Sequence, residues 1–177
     1  GNQSVSFTSS APSPTYGDNT SYTPSATSAT GDPVTFSVDL TQTSVDESNT
    51  PICSIASNGS ITISGAGTCV LIASVAATTN YQAASATQTF TVAAASQTIT
   101  FTSTPPSSPT IGSTYTPAAS VTSVKGKSLN VVFSVTGTCS IASGVVTFTG
   151  AGTCTVTASQ AGNTNYAAAQ VVTQSIK

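Results

Sequence analysis

The sequence predicts an all-β protein that consists of two copies of one β-sandwich pattern. Three observations support this class: the 177-residue chain repeats itself, its apolar residues recur in short alternating runs, and turn-forming residues separate these runs. No stretch shows the periodicity of an amphipathic helix. Because side chains alternate between the two faces of a strand, we expect Val5, Phe7, Ile99 and Phe101 to point into a core. Ser6 and Thr100 should face water.

The repeat extends from the first predicted strand of each copy to the last. In chain order, the matching segments are residues 4–9 with 98–103, 22–24 with 115–117, 34–38 with 131–135, 53–56 with 139–142, 65–69 with 150–154, and 87–90 with 173–176. One copy gives way to the next within residues 93–96, so we predict two domains, residues 1–94 and 95–177. About seven strands in roughly 80 to 95 residues are typical of an immunoglobulin-like sandwich.

Two cysteines lie at matching positions in each copy, and a turn signal separates them. The cysteines are Cys53 and Cys69 in the first copy, and Cys139 and Cys154 in the second. The turn signals are Asn58-Gly59, which favours a two-residue turn, and Ser143-Gly144. A hairpin at each turn would bring the two cysteines together. We therefore predict one structural disulfide within each copy, which contributes on the order of 3 kcal/mol to stability.

A zinc site and a redox centre are the alternatives for these cysteines. A zinc site needs four converging Cys or His ligands, whereas each copy has two cysteines and the chain has no histidine. A redox cysteine needs a neighbouring base or a Cys-x-x-Cys spacing, and the sequence contains neither. Paired structural disulfides are typical of an oxidising compartment. We predict an extracellular protein, secreted or attached to a cell surface, without a metal or cofactor.

The composition argues against several function classes. Charged residues make up 5% of the chain and the formal net charge is −2, so no basic surface can neutralise a run of phosphates. No apolar run approaches the ~18 to 20 residues that a membrane-spanning helix needs. We expect neither nucleic-acid binding nor membrane insertion by this segment. The absence of histidine and of a Gly-x-Ser-x-Gly pattern predicts that the chain is not an enzyme and has no catalytic residues.

The first copy differs from the second just before its first cysteine. Fourteen residues, 39–52, separate the third strand from that cysteine, whereas three residues do so in the second copy. The inserted Asp39, Asp46 and Glu47 could bind a hard cation such as calcium, but their spacing matches no known calcium loop. We expect a long solvated loop here.

The second copy carries a resemblance to a known family. Its string QTITFTSTPPSSPTIGSTYTP, followed by VVFSV, CSIASGVVTFTGAGTCTVTASQAGNTNYAAA and VTQS, resembles the tandem bacterial immunoglobulin-like repeats of very long secreted or surface-attached proteins. The first copy follows the same pattern apart from residues 39–52 and Tyr16, which replaces an isoleucine. The resemblance implies an immunoglobulin-like fold, both disulfides, and a role as a spacer or stalk in a larger fibre or adhesin. Such repeats share no catalytic residues.

Two functions from different classes remain open. The first is a structural spacer, stalk or fibre-forming module. Its partners would be the neighbouring repeats of its own chain and further copies in a filament, because edge strands without charge recruit other strands. The second is an adhesive recognition module that binds a glycan or a host or cell surface through its loops or a sheet face. The tyrosines occupy mostly repeated positions, which favours packing over stacking on sugars and so favours the first function.

Overall fold

The computed structural model describes residues 1–127 and 129–177, which fold into two compact units, Gly1–Ala95 and Ser96–Lys177. Apart from one short 3-10 turn, Val124–Gly126, the regular elements of the described residues are strands. The predicted all-β class is confirmed. No helix in the described part of the chain is long and apolar enough to cross a membrane.

The strands are short and follow the alternating runs of the sequence. In unit 1 they are β1 (Val5–Phe7), β2 (Ala26–Ser28), β3 (Thr35–Val38), β4 (Cys53–Ile55), β5 (Ile61–Ile63), β6 (Gly67–Val75) and β7 (Ala84–Val92). In unit 2 they are β8 (Gln97–Phe101), β9 (Thr114–Tyr115), β10 (Ala119–Ser123), β11 (Val132–Gly137), β12 (Cys139–Ala142), β13 (Val145–Phe148), β14 (Cys154–Ser159) and β15 (Val172–Ile176).

Unit 1 is a sandwich of two antiparallel layers. One layer is the sheet β3-β6-β7. In the other layer β1 pairs with β2 and β4 pairs with β5, and a bridge between Tyr22 and Ile61 connects the segment before β2 to β5. If β1 to β7 are lettered A to G in chain order, the layers have the strand arrangement A-B-E-D and C-F-G of an immunoglobulin-like sandwich. A parallel bridge from Thr15 to Ala93 adds one more segment at the end of β7.

Unit 2 repeats this arrangement. One layer is the sheet β11-β14-β15, and the other contains β12-β13-β9 together with β10-β8. Here β9 corresponds to the segment at Tyr22, and β10 corresponds to β2. The predicted inward face of the first strand of each unit is confirmed, since Val5 and Ile99 are buried while Ser6 and Thr100 are exposed.

The hairpin in unit 2 turns where the sequence predicts. Ala142 pairs with Val145, so Ser143 and Gly144 form a two-residue turn. Their φ angles are 47° and 79°, as the right-handed twist of the flanking strands favours.

The hairpin in unit 1 has a longer turn than predicted. Ala56 N–H donates to Ser60 O at 2.8 Å, which leaves Ser57, Asn58 and Gly59 in the loop. The predicted two-residue turn at Asn58-Gly59 is therefore wrong. Gly59 has a φ of 82°, and a residue in this left-handed conformation after a tight turn is typical of a three-residue hairpin loop.

A buried tyrosine connects the two layers in each unit. In unit 1, Tyr22 Oη donates to Gln88 Oε1 on β7 and shares a 2.8 Å hydrogen bond with Ser9 Oγ, which follows β1. Gln88 Nε2 donates to Ser9 O at 2.8 Å and closes the triangle. We call this arrangement of three side chains the tyrosine clamp. Because its members lie on both layers, it resists their separation.

Unit 2 contains the same clamp at the matching positions. Tyr115 Oη donates to Gln174 Oε1 at 2.6 Å and shares a 2.6 Å hydrogen bond with Ser103 Oγ, while Gln174 Nε2 donates to Ser103 O at 2.9 Å. Tyr115 is buried, so these hydrogen bonds are shielded from water.

Removal of the clamp hydroxyl should lower stability measurably. We expect Tyr115→Phe to reduce the free energy of unfolding of unit 2 by about 1 kcal/mol, because Gln174 Oε1 loses its donor in a buried site. Tyr81→Phe is the matched control, since Tyr81 is 40% exposed. Chemical denaturation, monitored by hydrogen exchange, measures the free energy of unfolding of both variants. Equal stability of Tyr115→Phe and the unmodified chain would contradict a stabilising role for the clamp.

Candidate binding groove

The disulfides cross from one layer of each sandwich to the other. Cys53 begins β4 and Cys69 lies on β6, and their Cα atoms are 6.0 Å apart. Cys139 begins β12 and Cys154 begins β14, with Cα atoms 5.5 Å apart. Both separations lie in the usual range for a disulfide, roughly 4.4 to 6.8 Å.

The expectation that a hairpin brings the cysteines together is wrong. Within the hairpins, Cys53 lies opposite Ile63 and Cys139 lies opposite Phe148. The chain leaves each hairpin and enters the other layer before it reaches the second cysteine. An inward side chain on one layer faces the opposite layer, and this brings the two sulfur atoms together.

The pairing remains a prediction for protein produced in an oxidising compartment. Peptide mapping without reduction should yield two bridged peptides, one with Cys53 and Cys69 and the other with Cys139 and Cys154. A peptide that joins Cys53 to Cys139, or free thiols in secreted material, would contradict both the pairing and the extracellular assignment.

The inserted residues 39–52 form two excursions separated by Ser44. Ser44 N–H donates to Thr68 O at 2.8 Å, and Thr68 N–H donates to Ser44 Oγ at 2.9 Å, so Ser44 stays beside β6. The first excursion is residues 40–43, and the second is residues 45–51, which a bridge between Val45 and Pro51 closes.

The inserted segment is mostly exposed, as the sequence predicts, but two of its residues are buried. Thr43 is 6% exposed, and its hydroxyl accepts a hydrogen bond from Val70 N–H at 3.0 Å. Ile52 is fully buried and belongs to the core cluster of unit 1. Thus the segment contributes to the sheet and the core, and only its two excursions extend outward.

Two of the three inserted acidic residues, Asp39 and Asp46, stabilise local turns, and Glu47 is exposed. Asp39 Oδ1 accepts hydrogen bonds from Thr41 Oγ1 at 2.6 Å and Thr41 N–H at 2.9 Å, which hold the pKa of Asp39 below its usual value. Asp46 Oδ1 accepts from Ser48 N–H at 2.8 Å and Thr50 N–H at 3.0 Å. In the part of the chain that the structure describes, no three His, Cys, Asp or Glu residues form a metal-binding group.

A groove of about 550 Å³ lies in unit 1 beside the edge strands β3 and β4. Leu40 from the first excursion and Pro51 from the second form part of its wall. Leu40 is 66% exposed. The lining residues are Phe36, Ser37, Val38, Leu40, Thr50, Pro51, Cys53, Ser54, Ile55 and Ser64.

The groove has the chemistry of a site for an uncharged ligand. None of the described residues that line it is charged, and Cys53 is in a disulfide. Asp39 N–H donates to Val70 O at 2.8 Å. In an antiparallel ladder only alternate residues of a strand bond to a given neighbour, so Phe36 and Val38 direct their backbone N–H and C=O groups away from β6. These groups and the lining hydroxyls can hydrogen-bond a ligand. The volume falls in the range of small-molecule sites, about 300 to 1,000 Å³.

The tyrosines are placed mainly as packing residues. Tyr22 and Tyr115 are 8% exposed and Tyr166 is 3% exposed, whereas Tyr81 is 40% exposed. The aromatic ring of the groove lining belongs to Phe36. The groove therefore offers little aromatic surface for a sugar ring to stack on.

Sequence reasoning missed the groove and the clamp. The fourteen inserted residues are the signal for the groove, since they supply Leu40, Thr50 and Pro51 to its wall. The signal for the clamp is the recurrence of its three residue types at matching positions in both copies. The pairs are Ser9 and Ser103, Tyr22 and Tyr115, and Gln88 and Gln174.

Sheet order and inter-layer disulfides define the chain as a pair of immunoglobulin-like β-sandwich units. Among solved structures it is similar to human protocadherin-24 EC1-2, with 13% identity and a TM-score of 0.33 over 88% of this chain and 86% of that chain. It is also similar to Drosophila N-cadherin EC1-4, with 12% identity and a TM-score of 0.32 over 89% of this chain and 44% of that chain. No family model and no curated protein sequence matches the chain.

Proposed function

We propose that the chain is an extracellular structural module, a spacer or stalk segment of a larger surface protein of the bacterial kind that its sequence resembles. One observation carries the proposal: both units join their two layers with the same two devices at matching positions, a disulfide and a tyrosine clamp. A module that transmits tension needs layers that do not slide apart, and covalent and buried polar connections supply this resistance. No catalytic role is proposed for any residue.

Single-molecule stretching of the full chain tests the proposal. We expect two separate unfolding steps. Because each disulfide shields the residues between its cysteines from extension, reduction should lengthen each step by about 50 Å, from sequence separations of 16 and 15 at about 3.5 Å per residue. A chain that extends without resolvable steps when oxidised would contradict a stalk role.

We propose further copies of the chain, besides neighbouring repeats, as partners. Among the described residues, no strand contains a charged side chain, so the edges lack the usual protection against pairing with another strand. Sedimentation at rising concentration should show reversible association. A monomer at all concentrations up to about millimolar would remove the filament hypothesis and leave a passive spacer.

The second candidate function is adhesive recognition, and the groove of unit 1 is the observation that favours it. Leu40→Arg would place a charge at this uncharged groove, and Val132→Arg is the matched control because Val132 is 63% exposed on unit 2. A screen of glycans and uncharged peptides decides between the two functions. Saturable binding that Leu40→Arg abolishes and Val132→Arg preserves establishes recognition, whereas the absence of saturable binding favours the spacer.

A further inference from the structure

Strand β3 is an open edge of unit 1. Of the strands that the structure describes, only β6 pairs with β3. Since alternate residues of β3 bond to β6, Phe36 and Val38 direct their backbone N–H and C=O groups toward the open side of the sheet, where the groove lies. These donors and acceptors have the spacing of an antiparallel ladder, so they are available to one further strand.

The other edge of the same sheet is occupied by the chain's own first segment. Gln82, just before β7, donates its N–H to Gly1 O at 3.0 Å. Ala93, just after β7, forms a parallel bridge with Thr15. Residues 1–15 therefore lie beside both ends of β7. This comparison leaves β3 as the edge of the sheet that can accept a strand from elsewhere.

The surface beside β3 is apolar and uncharged. Leu40 is 66% exposed there, and the described residues that line the groove include no charged side chain. The matching strand of unit 2 lacks the excursions, because three residues rather than fourteen separate Val135 from Cys139. A strand that covers this edge must itself be uncharged, since a buried charge would lose water without gaining a partner. Thr35–Val38, the segment of β3, meets this requirement.

The edge of β3 is complementary to a second copy of itself. When two β3 strands pair antiparallel about a two-fold axis at Ser37, Phe36 of one copy lies opposite Val38 of the second copy. Both residues point their backbone groups outward, so each of the two equivalent pairs exchanges both of its hydrogen bonds. Asp39, which follows β3, then lies opposite Thr35 of the second copy. No carboxylate faces another carboxylate in this register.

We infer that β3 is the docking site for a second copy of this chain, through an antiparallel β3–β3 contact about Ser37. In this register Leu40 comes beside Val34 of the second copy, which covers part of its exposed side chain. Because a two-fold contact closes on itself, this edge alone gives a dimer and not a filament. The inference rests on the proposed association between copies, whereas the spacer role does not depend on it.

Cysteine crosslinking of the full chain tests the register. Ser37→Cys places two thiols opposite each other on the axis, where the Cα atoms of such a pair are about 4.5 Å apart, within disulfide range. Thr35→Cys is the matched control, since both residues are exposed on the same face of β3, but Thr35 lies about 14 Å from its counterpart. The native cysteines are all in disulfides. Under mild oxidation we expect a disulfide-linked dimer of Ser37→Cys and none of Thr35→Cys.

Lysine substitutions at the same two positions test the contact through its affinity. Ser37→Lys places two like charges opposite each other on the axis, so it should weaken dimerisation at least about tenfold. Thr35→Lys places its charge opposite Asp39 of the second copy, so the dimer should be at least as tight as that of the unmodified chain. Sedimentation at rising concentration measures the dissociation constants of all three chains.

The outcomes separate this inference from the proposed association on which it rests. Equal crosslinking of the two cysteine variants, or equal dissociation constants of the two lysine variants, overturns the β3 contact and leaves association through another edge. A chain that stays monomeric at every concentration and forms no Ser37→Cys dimer overturns both.

Discussion

Replacing Cys53 and Cys69 together with alanine is expected to lower the free energy of unfolding of unit 1 by about 3 kcal/mol. The bridge closes a loop with a sequence separation of 16 and joins β4 to β6, so its loss frees the unfolded chain and removes a connection between the layers. Both cysteines are buried, at 1% and 0% exposure, so two small cavities add to the cost. For a domain with a typical stability of about 5 to 15 kcal/mol, this loss is large.

Hydrogen exchange read separately on β6 and β14 measures this effect with an internal control. The alanine pair in unit 1 should accelerate exchange in β6 and leave β14 unchanged, and Cys139→Ala with Cys154→Ala should do the reverse. Reduction of the unmodified chain should accelerate both. If the double variant of unit 1 is as stable as the oxidised chain, the disulfide does not hold the layers together.

Gly137→Ala is expected to destabilise unit 2 by at least about 3 kcal/mol. Gly137 has a φ of 93°, which an L side chain rarely adopts, and a Cβ at this position would lie 2.0 Å from Thr153 O. The clashing atom belongs to the backbone just before Cys154, which pairs with Gly137 across β11 and β14. Relief therefore requires displacement of a strand that also carries the disulfide.

Gly144→Ala separates the steric effect from the conformational one. Gly144 has a φ of 79°, but a Cβ there meets no atom within 4 Å. We expect it to cost about 1 to 2 kcal/mol, the penalty of the left-handed conformation alone. Thermal unfolding compares the two variants. Equal destabilisation by both would contradict the role assigned to Thr153 O.

A comparison of the two units shows how a sandwich can accept an inserted surface segment without disruption of either layer. In unit 2, Thr138 N–H donates to Thr153 O at 3.1 Å and Thr138 O accepts from Thr149 N–H at 2.9 Å. In unit 1, two different residues make these contacts. Ser44 N–H donates to Thr68 O at 2.8 Å, and Ile52 O accepts from Ser64 N–H at 2.8 Å. Insertion between these two contacts leaves both layers intact. The excursions that result form part of the groove wall.

Local pattern was sufficient to predict the class and much of the strand layout. Alternation along one strand decides which side chains face inward, and for this reason Val5 and Ile99 are buried as predicted while Ser6 is exposed. The turn at Ser143-Gly144 could also be predicted, because its geometry depends on two adjacent residues. These features involve neighbours in sequence, and the sequence contains all the information that they need.

The tertiary structure alone decided how the cysteines, the inserted segment and the clamp are arranged. Whether Cys53 faces its hairpin neighbour Ile63 or the opposite layer depends on which sheet each strand joins, and spacing along the chain does not contain that information. The burial of Thr43 likewise depends on β6, whose Val70 lies 27 residues away and donates to its hydroxyl. The sequence determined the strands and their inward faces because alternation is local. The contacts between layers were decided by packing, because they join residues that only the folded sandwich brings together.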